Sequence, residues 1–329
     1  MNIVRAPLRI TLGGGGTDIP GWYIENGGFL ISAAINKYIY LTGSRRDFDK
    51  KLWLSYSQVE ICDEIDEIKH EIFKKVLKKY DLKNGIEIHS ISEVSGGSGL
   101  GSSGTFTVGL LHLLNVMFKR DMTKKELAEE AAYIEMIELK RHCGKQDQYI
   151  ATYGGIIALH INNEGDVVVK NLDLDTNTFI TLKNNLQIYH TGVSRNANII
   201  LKDQNIKLKK KQQTPTAGMM RIQEIGYEAQ KCLISGDLES FGKSLNEHWN
   251  VKKSISKKMS SKIIDDLYEY AISCGALGGK VMGAGGGGYF MFYVPAKNHL
   301  SFRKKMLENG FKEMHWQFDF KGTCNILTD

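Results

Sequence analysis

Residues Glu93-Val-Ser-Gly-Gly-Ser-Gly-Leu-Gly-Ser-Ser-Gly-Thr-Phe106 hold the densest functional punctuation in the chain. An alternating run, Gly85-Ile-Glu-Ile-His-Ser-Ile91, leads into them. Phe106, Val108, Leu110, Leu111, Leu113 and Leu114 follow at spacings that stripe one face of a helix. The expected order is therefore strand, glycine loop, helix. Such a junction aims unpaired backbone N–H groups and the positive end of a helix dipole at the loop, where the natural guest is an anion such as phosphate. Gly99, Gly101 and Gly104 satisfy G-x-G-x-x-G, but a dinucleotide-binding unit also needs a second strand ending in an acid about 20 residues on. Residues 119–126 start another helix instead, with Thr123 as N-cap and Glu126 as its capping-box partner. No Gly-Lys-Ser/Thr closes the loop, so it is not a Walker loop either. Ser102 and Ser103 put two hydroxyls at the helix start, which points to a nucleotide loop with a hydroxyl available for Mg²⁺. A plain glycine turn is the alternative.

The chain is long enough, at 329 residues, for two domains. Its hydrophobic share of 42% and charged share of 24% are ordinary for a soluble globular protein. A formal charge of +6, spread out except in one tract, suits an enzyme for anionic substrates better than a nucleic-acid binder. Cys62, Cys143, Cys232, Cys274 and Cys324 are isolated, which argues for a reducing compartment and against a zinc site. Arg5 and Arg9 interrupt what would be the apolar part of a signal peptide, and no run of about 18 apolar residues occurs. A cytoplasmic protein without membrane or nucleic-acid partners is expected.

Residues 2–12 read as a strand ending in Gly13-Gly-Gly-Gly-Thr-Asp18, whose glycines would bring Thr17 and Asp18 close to a ligand; a flexible turn is the alternative. Residues 29–43 and 51–62 read as strands and residues 63–80 as a helix. A second helix is expected over residues 124–142, closing at Gly144. Glu135 falls in its inward-facing stripe, between Ala131 and Leu139, and a carboxylate there needs a positive partner. A metal ion is one solution, Glu138 competes for the role, and a solvent-facing salt bridge would serve either. Asp147 is an acid on irregular backbone after a helix stop, or the N-cap of a helix through Ala151. Residues 154–160 and 166–172 form a hairpin pattern, and 185–192 another strand with a domain boundary shortly before it. The basic tract at 206–213 reads as a solvated face, with a lid over nucleotide phosphates or a nucleic-acid contact as alternatives. Helices are expected over 217–250 and 261–277, with His248, Trp249, Lys252 and Lys253 clustered near the end of the first. Residues 278–288 are so rich in glycine that a loop with close backbone contacts is expected, followed by a buried strand.

The three glycine loops together resemble the three motifs of the GHMP kinases, the superfamily of galactokinase, homoserine kinase, mevalonate kinase and phosphomevalonate kinase. The matching stretches are Ala6-Pro-Leu-Arg-Ile-Thr-Leu-Gly-Gly-Gly-Gly-Thr-Asp18, Gly97-Ser-Gly-Leu-Gly-Ser-Ser-Gly104 and Lys280-Val-Met-Gly-Ala-Gly-Gly-Gly-Gly288, in the family's order. Thr17-Asp18, the Gly-Lys-Gln-Asp-Gln stretch at 144–148, and His248-x-x-x-Lys252 with Leu-Gly-Gly-Lys280 are most similar to D-glycero-D-manno-heptose 7-phosphate kinases. The kinase part of L-fucokinases is a near relative.

The resemblance implies an α+β fold in two domains. An ATP-binding domain like ribosomal protein S5 domain 2 would span residues 1–180, and a ferredoxin-like domain contributing to the sugar site would span 181–329. It implies that Gly97, Ser98, Gly99, Leu100, Gly101, Ser102, Ser103 and Gly104 wrap the ATP triphosphate, with Ser103 and Glu135 on Mg²⁺. Asp147 would be the catalytic base, and Arg9 would stabilise phosphoryl charge. Thr17, Asp18, Gly16, Gly285, Gly286, Arg195 and Lys252 are the expected substrate contacts, with Arg195, Lys252 or Lys253 as candidates for a second anion site. The implied reaction phosphorylates the anomeric hydroxyl of heptose 7-phosphate, giving a 1,7-bisphosphate for nucleotide-heptose synthesis. A fucokinase-like kinase of an unphosphorylated sugar and a non-catalytic sensor are the alternatives, in a monomer or homodimer. Gly13–Gly16 replaces a more polar segment of galactokinases, so galactose is not expected to fit in the same way.

Overall fold

The run Gly28–Arg45 forms one strand of 18 residues with two characters. In its first half Phe29, Ile31, Ala33 and Ile35 enter the main core while Leu30 and Ala34 enter a second one with Tyr149 and Ile150. That continuous apolar stretch requires cover on both faces. In its second half burial alternates, with Ile39 and Leu41 inward, as for a strand with one wet face. The structure, a computed structural model, describes residues 1–47, 49–82, 85–193 and 197–328.

In chain order the elements are β1 (Asn2–Gly13), α1 (Pro20–Asn26), β2 (Gly28–Arg45), β3 (Leu52–Ser55), β4 (Val59–Cys62), α2 (Glu71–Lys79), β5 (Ile86–Ser92), α3 (Ser102–Met117), α4 (Lys124–Tyr133), α5 (Gln146–Tyr153), β6 (Ile156–Ile161) and β7 (Val167–Asn171). They continue with α6 (Thr176–Asn185), β8 (Leu186–His190), α7 (Ala197–Lys209), α8 (Gln213–Ser235), α9 (Leu238–Ile255), α10 (Lys262–Ser273), β9 (Gly278–Val281), β10 (Tyr289–Tyr293), α11 (His299–Glu308), β11 (Glu313–Met314) and β12 (Cys324–Leu327). One sheet runs β12-β1-β2-β5-β3-β4, with β6 also on β2 and β7 on β6; the other runs β11-β8-β10-β9. This is the expected two-domain mixture of helices and sheets. Helix α6 spans the expected 180/181 boundary, and β12 returns to the first sheet to pair with β1. Among the described residues no helix is long and apolar enough to cross a membrane.

Three local expectations need correction. The helix expected through residue 142 leaves α geometry after α4: Ile134–Glu138 is a π-turn, closed by Leu139 N–H on Ile134 O at 2.9 Å, and Lys140 then turns left-handed at φ 52°. The helix expected over 63–80 is split, because the Glu60 carboxylate captures the N–H groups of Lys69 (2.6 Å) and His70 (3.1 Å) and only α2 follows as a regular helix. Residues 278–281, expected in a loop, form strand β9 on β10. Glycine serves there to admit helix α9, since a Cβ on Gly278 would stand 2.3 Å from Gly242 O. The basic tract ends α7 on the surface, where Lys207 pairs with Asp203 and Lys211 with Glu25.

The segment before β12 is tied down by Asp319, which is 5% exposed. Its carboxylate accepts from Tyr38 OH (2.9 Å) and from the N–H groups of Lys321 (3.0 Å) and Gly322 (2.8 Å), while its backbone bonds Ala34 and Gly155. Asp319→Ala strands those donors without an acceptor and is expected to cost about 1–3 kcal/mol, read as a lower urea midpoint.

Candidate active site

Strand β1 delivers Arg9 to the second glycine loop. Its backbone N–H donates to Leu100 O at 3.0 Å, and its guanidinium donates through Nη1 to Gly99 O. Nε and Nη2 both meet Asp147 Oδ1, at 2.8 and 2.7 Å. Oδ2 of Asp147 accepts no hydrogen bond among the described residues, and the side chain is 27% exposed. The Arg9 side chain is almost fully enclosed, so this pair is held rigidly rather than exchanging with water. Asp147 lies in the first turn of α5, two places beyond the N-cap Lys145 and not on irregular backbone; a carboxylate is favoured there by the helix dipole.

Gly97, Gly99 and Gly101 take φ values of 76°, 85° and 85°, alternating with ordinary residues. That alternation curls successive N–H groups inward to make an anion-binding nest, which opens directly onto the N-terminus of α3. The eight expected nucleotide-loop residues are thus brought together, though not alike. Leu100 is fully buried in the core and Ser98 is 4% exposed, so both anchor the loop. Ser102 Oγ is buried without a partner among the described residues. The third loop closes on the second through Tyr289 N–H, which donates to Ser98 O at 3.2 Å.

Glu135 is 1% exposed, and what meets it is a network. Ser103 Oγ donates to Oε2, Gln148 Nε2 donates to Oε1 at 2.9 Å, and Arg141 Nη1 reaches both Ser103 Oγ (2.7 Å) and Oε2 (3.3 Å). Burial raises the Glu135 carboxyl, against the pull of Ser103 and Arg141. Arg141, absent from the expected site, is turned back onto Glu135 by the π-turn, its own N–H donating to Glu135 O at 2.9 Å. Glu138 instead faces Lys75 at the surface. A hydroxyl and a carboxylate side by side at the mouth of a phosphate nest are hard oxygen donors that fit Mg²⁺, which commonly takes one or two carboxylates and completes its shell with water and substrate phosphates.

A cleft is lined by Arg9, Gly16, Asp18 and Asp147 from the first half of the chain and by Lys252 and Lys280 from the second. Asp18 accepts from Gln146 N–H at 2.9 Å through Oδ2, and a Cβ on Gly144 would stand 2.0 Å from that oxygen, which explains the glycine before Lys145. Lys252 donates to Gly283 O. Cys143 also lines the cleft, but burial and then Glu135, Asp147 and Asp18 hold its thiol neutral. Other expected contacts lie elsewhere. The Thr17 hydroxyl is fully buried against Gly14 and Phe29, where it fixes the first loop. Gly285 and Gly286 pack on Met259, with Gly286 N–H donating to Met259 O at 2.7 Å. Lys253 bonds Asp265 over the faces of Trp249 and Tyr268. Arg195 lies outside the described residues.

Residues 68–155, which carry the nest, Glu135 and Asp147, match the sequence profile of the GHMP kinase N-terminal domain, and residues 229–311 match that of the GHMP kinase C-terminal domain. The chain belongs to the GHMP kinases. The kinase is 30% identical to D-glycero-alpha-D-manno-heptose 7-phosphate kinase of Campylobacter jejuni, over 93% of this chain and 94% of that protein. It is 24% identical to the L-fucokinase/L-fucose-1-P guanylyltransferase of Bacteroides fragilis, over 93% of this chain but 36% of that longer protein. Its fold matches the crystal structure of a D-glycero-D-manno-heptose 1-phosphate kinase from Bacteroides thetaiotaomicron with a TM-score of 0.82, at 23% identity and over 100% of both chains. ATP is the phosphate donor of this family.

Burial raises the Asp18 carboxyl above its usual range, the Gln146 N–H opposing. The folded chain then holds that proton more tightly than the unfolded one, so the contribution of Asp18 to stability is present at low pH and lost as pH rises through the raised value. Asp18→Asn keeps an acceptor for Gln146 and removes this slope. Its urea midpoint is expected to exceed that of the unsubstituted kinase at about pH 8, with the gap closing below about pH 4.

Proposed function

We propose that this kinase transfers the γ-phosphoryl group of ATP to the anomeric hydroxyl of D-glycero-D-manno-heptose 7-phosphate. The observation that carries the reading is the Arg9–Asp147 pair: one carboxylate oxygen is pinned by the guanidinium, and the other opens into the cleft beside the phosphate nest. A pinned carboxylate in that position is a general base for an acceptor hydroxyl. Asp18, on the same wall, supplies a second acceptor for sugar hydroxyls. The relatives named as heptose-phosphate and fucose kinases support a sugar as the acceptor.

The acceptor oxygen forms a bond to the γ-phosphorus as its proton passes to Asp147 Oδ2, and the bond from that phosphorus to the bridging oxygen of ADP breaks. Arg9 keeps the base oriented and places positive charge beside the reacting centre, while the nest and the start of α3 hold the remaining phosphates. Ser103 and Glu135 would hold Mg²⁺, which when bound supplies neutralisation of phosphate charge. Arg141 keeps the Glu135 carboxylate paired with a cation. The product carries a phosphate at the anomeric carbon and another at the far end of the sugar, a suitable precursor for nucleotidyl transfer.

The test is ATP consumption against a panel of sugars and sugar phosphates, with phosphorus NMR of the product. Heptose 7-phosphate is expected to be turned over fastest and to gain its new phosphate at the anomeric carbon. Preference for a heptose 1-phosphate, or binding without turnover across the panel, would overturn the proposal. In Asp147→Asn, ATP affinity is expected to be retained while turnover falls by ~10²–10⁴, the usual worth of a general base; near-full turnover would remove Asp147 from that role.

A further inference from the structure

Lys280 of β9 is 2% exposed, and its side chain lines the cleft beside Arg9 and Lys252. Among the described residues its ammonium has no ion pair and no hydrogen bond. The carboxylates that line the cleft have partners of their own, Asp147 in Arg9 and Asp18 in the Gln146 N–H. Lys252 is 7% exposed and is steered toward the same wall by its bond to Gly283 O. One turn earlier on α9, His248 is 1% exposed, and among the described residues neither of its ring nitrogens is hydrogen-bonded. Burial, then Lys280 and Lys252, holds that imidazole neutral, so the wall carries lysine charge only.

A buried ammonium without a counter-charge is strongly unfavourable, and burial followed by Lys252 and Arg9 depresses the Lys280 pKa well below its ordinary value. An anion placed against the wall reverses that penalty. The nest and the N-terminus of α3 offer the ATP phosphates donors of their own. The cleft therefore carries both hydroxyl-accepting carboxylates, Asp18 and Asp147, and anion-accepting lysines, Lys252 and Lys280.

We propose that Lys280, with Lys252, forms the subsite for the acceptor's own phosphate group. This rests on the acceptor being a sugar phosphate. An unphosphorylated sugar would leave the ammonium of Lys280 buried and unmatched.

Lys280→Met keeps the apolar stem and removes the charge. In the full chain saturated with a non-hydrolysable ATP analogue, so that the γ-phosphate position is filled, inorganic phosphate is expected to raise the melting temperature of the unsubstituted kinase. The variant is expected to need about tenfold more phosphate or worse for the same rise. Its KM for the sugar phosphate is expected to rise by about 30-fold or more while its KM for ATP stays within about twofold, and Lys280→Arg is expected to recover part of the loss. Equal phosphate binding by Lys280→Met and the unsubstituted chain would overturn the proposal. So would a matching rise in the KM for ATP, which would assign Lys280 to the phosphoryl group in transit. Phosphate binding that depends on Lys280 in a kinase that turns over no sugar phosphate would uphold the anion site and overturn the heptose 7-phosphate reading.

Discussion

A buried guanidinium is tolerable only when its donors are satisfied, and Arg9 meets that demand by spending them on two separate parts of the chain. One bond goes to the backbone of the nucleotide loop and two to the carboxylate at the start of α5. The requirement to satisfy one side chain thus fixes the spacing between phosphate donor and base. It also fixes the register of β1, where Arg9 pairs opposite Ala34 of β2. A slip by one residue would turn Arg9 to the opposite face and dissolve the site.

The second half of the chain is joined to this centre by backbone rather than by side chains. Tyr289 N–H on Ser98 O makes the nucleotide loop and the third glycine loop neighbours in one hydrogen-bonded stretch. The same third loop offers Gly283 O to Lys252. The third loop thus touches both the nucleotide loop, at Ser98, and the lysine wall, at Lys252.

Much of this was legible in the sequence because glycine clusters and an acid after a helix stop are local signals. The three loops and Asp147 could be read that way, whereas Arg9 and the pairing of Ser103 with Glu135 came from the resemblance to the family's motifs. What escaped was long-range or depended on backbone geometry. Arg141 follows Glu135 by six residues, a separation that puts two side chains on different sides of an ideal α-helix, and only the π-turn lets them meet. Thr17 looked like a ligand contact because it adjoins Asp18, yet it caps its own loop with Phe29 as partner. Lys280 opened a glycine-rich motif and read as part of a loop, whereas strand pairing with β10 buries it facing the cleft. Asp319 turns the chain locally onto Lys321 and Gly322, but its ties to Tyr38, Ala34 and Gly155 leave no mark in the neighbouring sequence.

The pairing of β12 with β1 has a consequence for how the molecule is made. β1 carries Arg9, yet one of its two edges finds its partner only in residues 324–327, more than 300 residues later in synthesis. Until that strand arrives, the earlier part of the sheet keeps an open edge of unpaired N–H and C=O groups, the kind of surface that recruits strands from other chains. Completion of the first sheet is thereby deferred until residues 324–327 have been made, and the strand that bears the active-site arginine acquires its last neighbour only after the whole lysine wall has been synthesised.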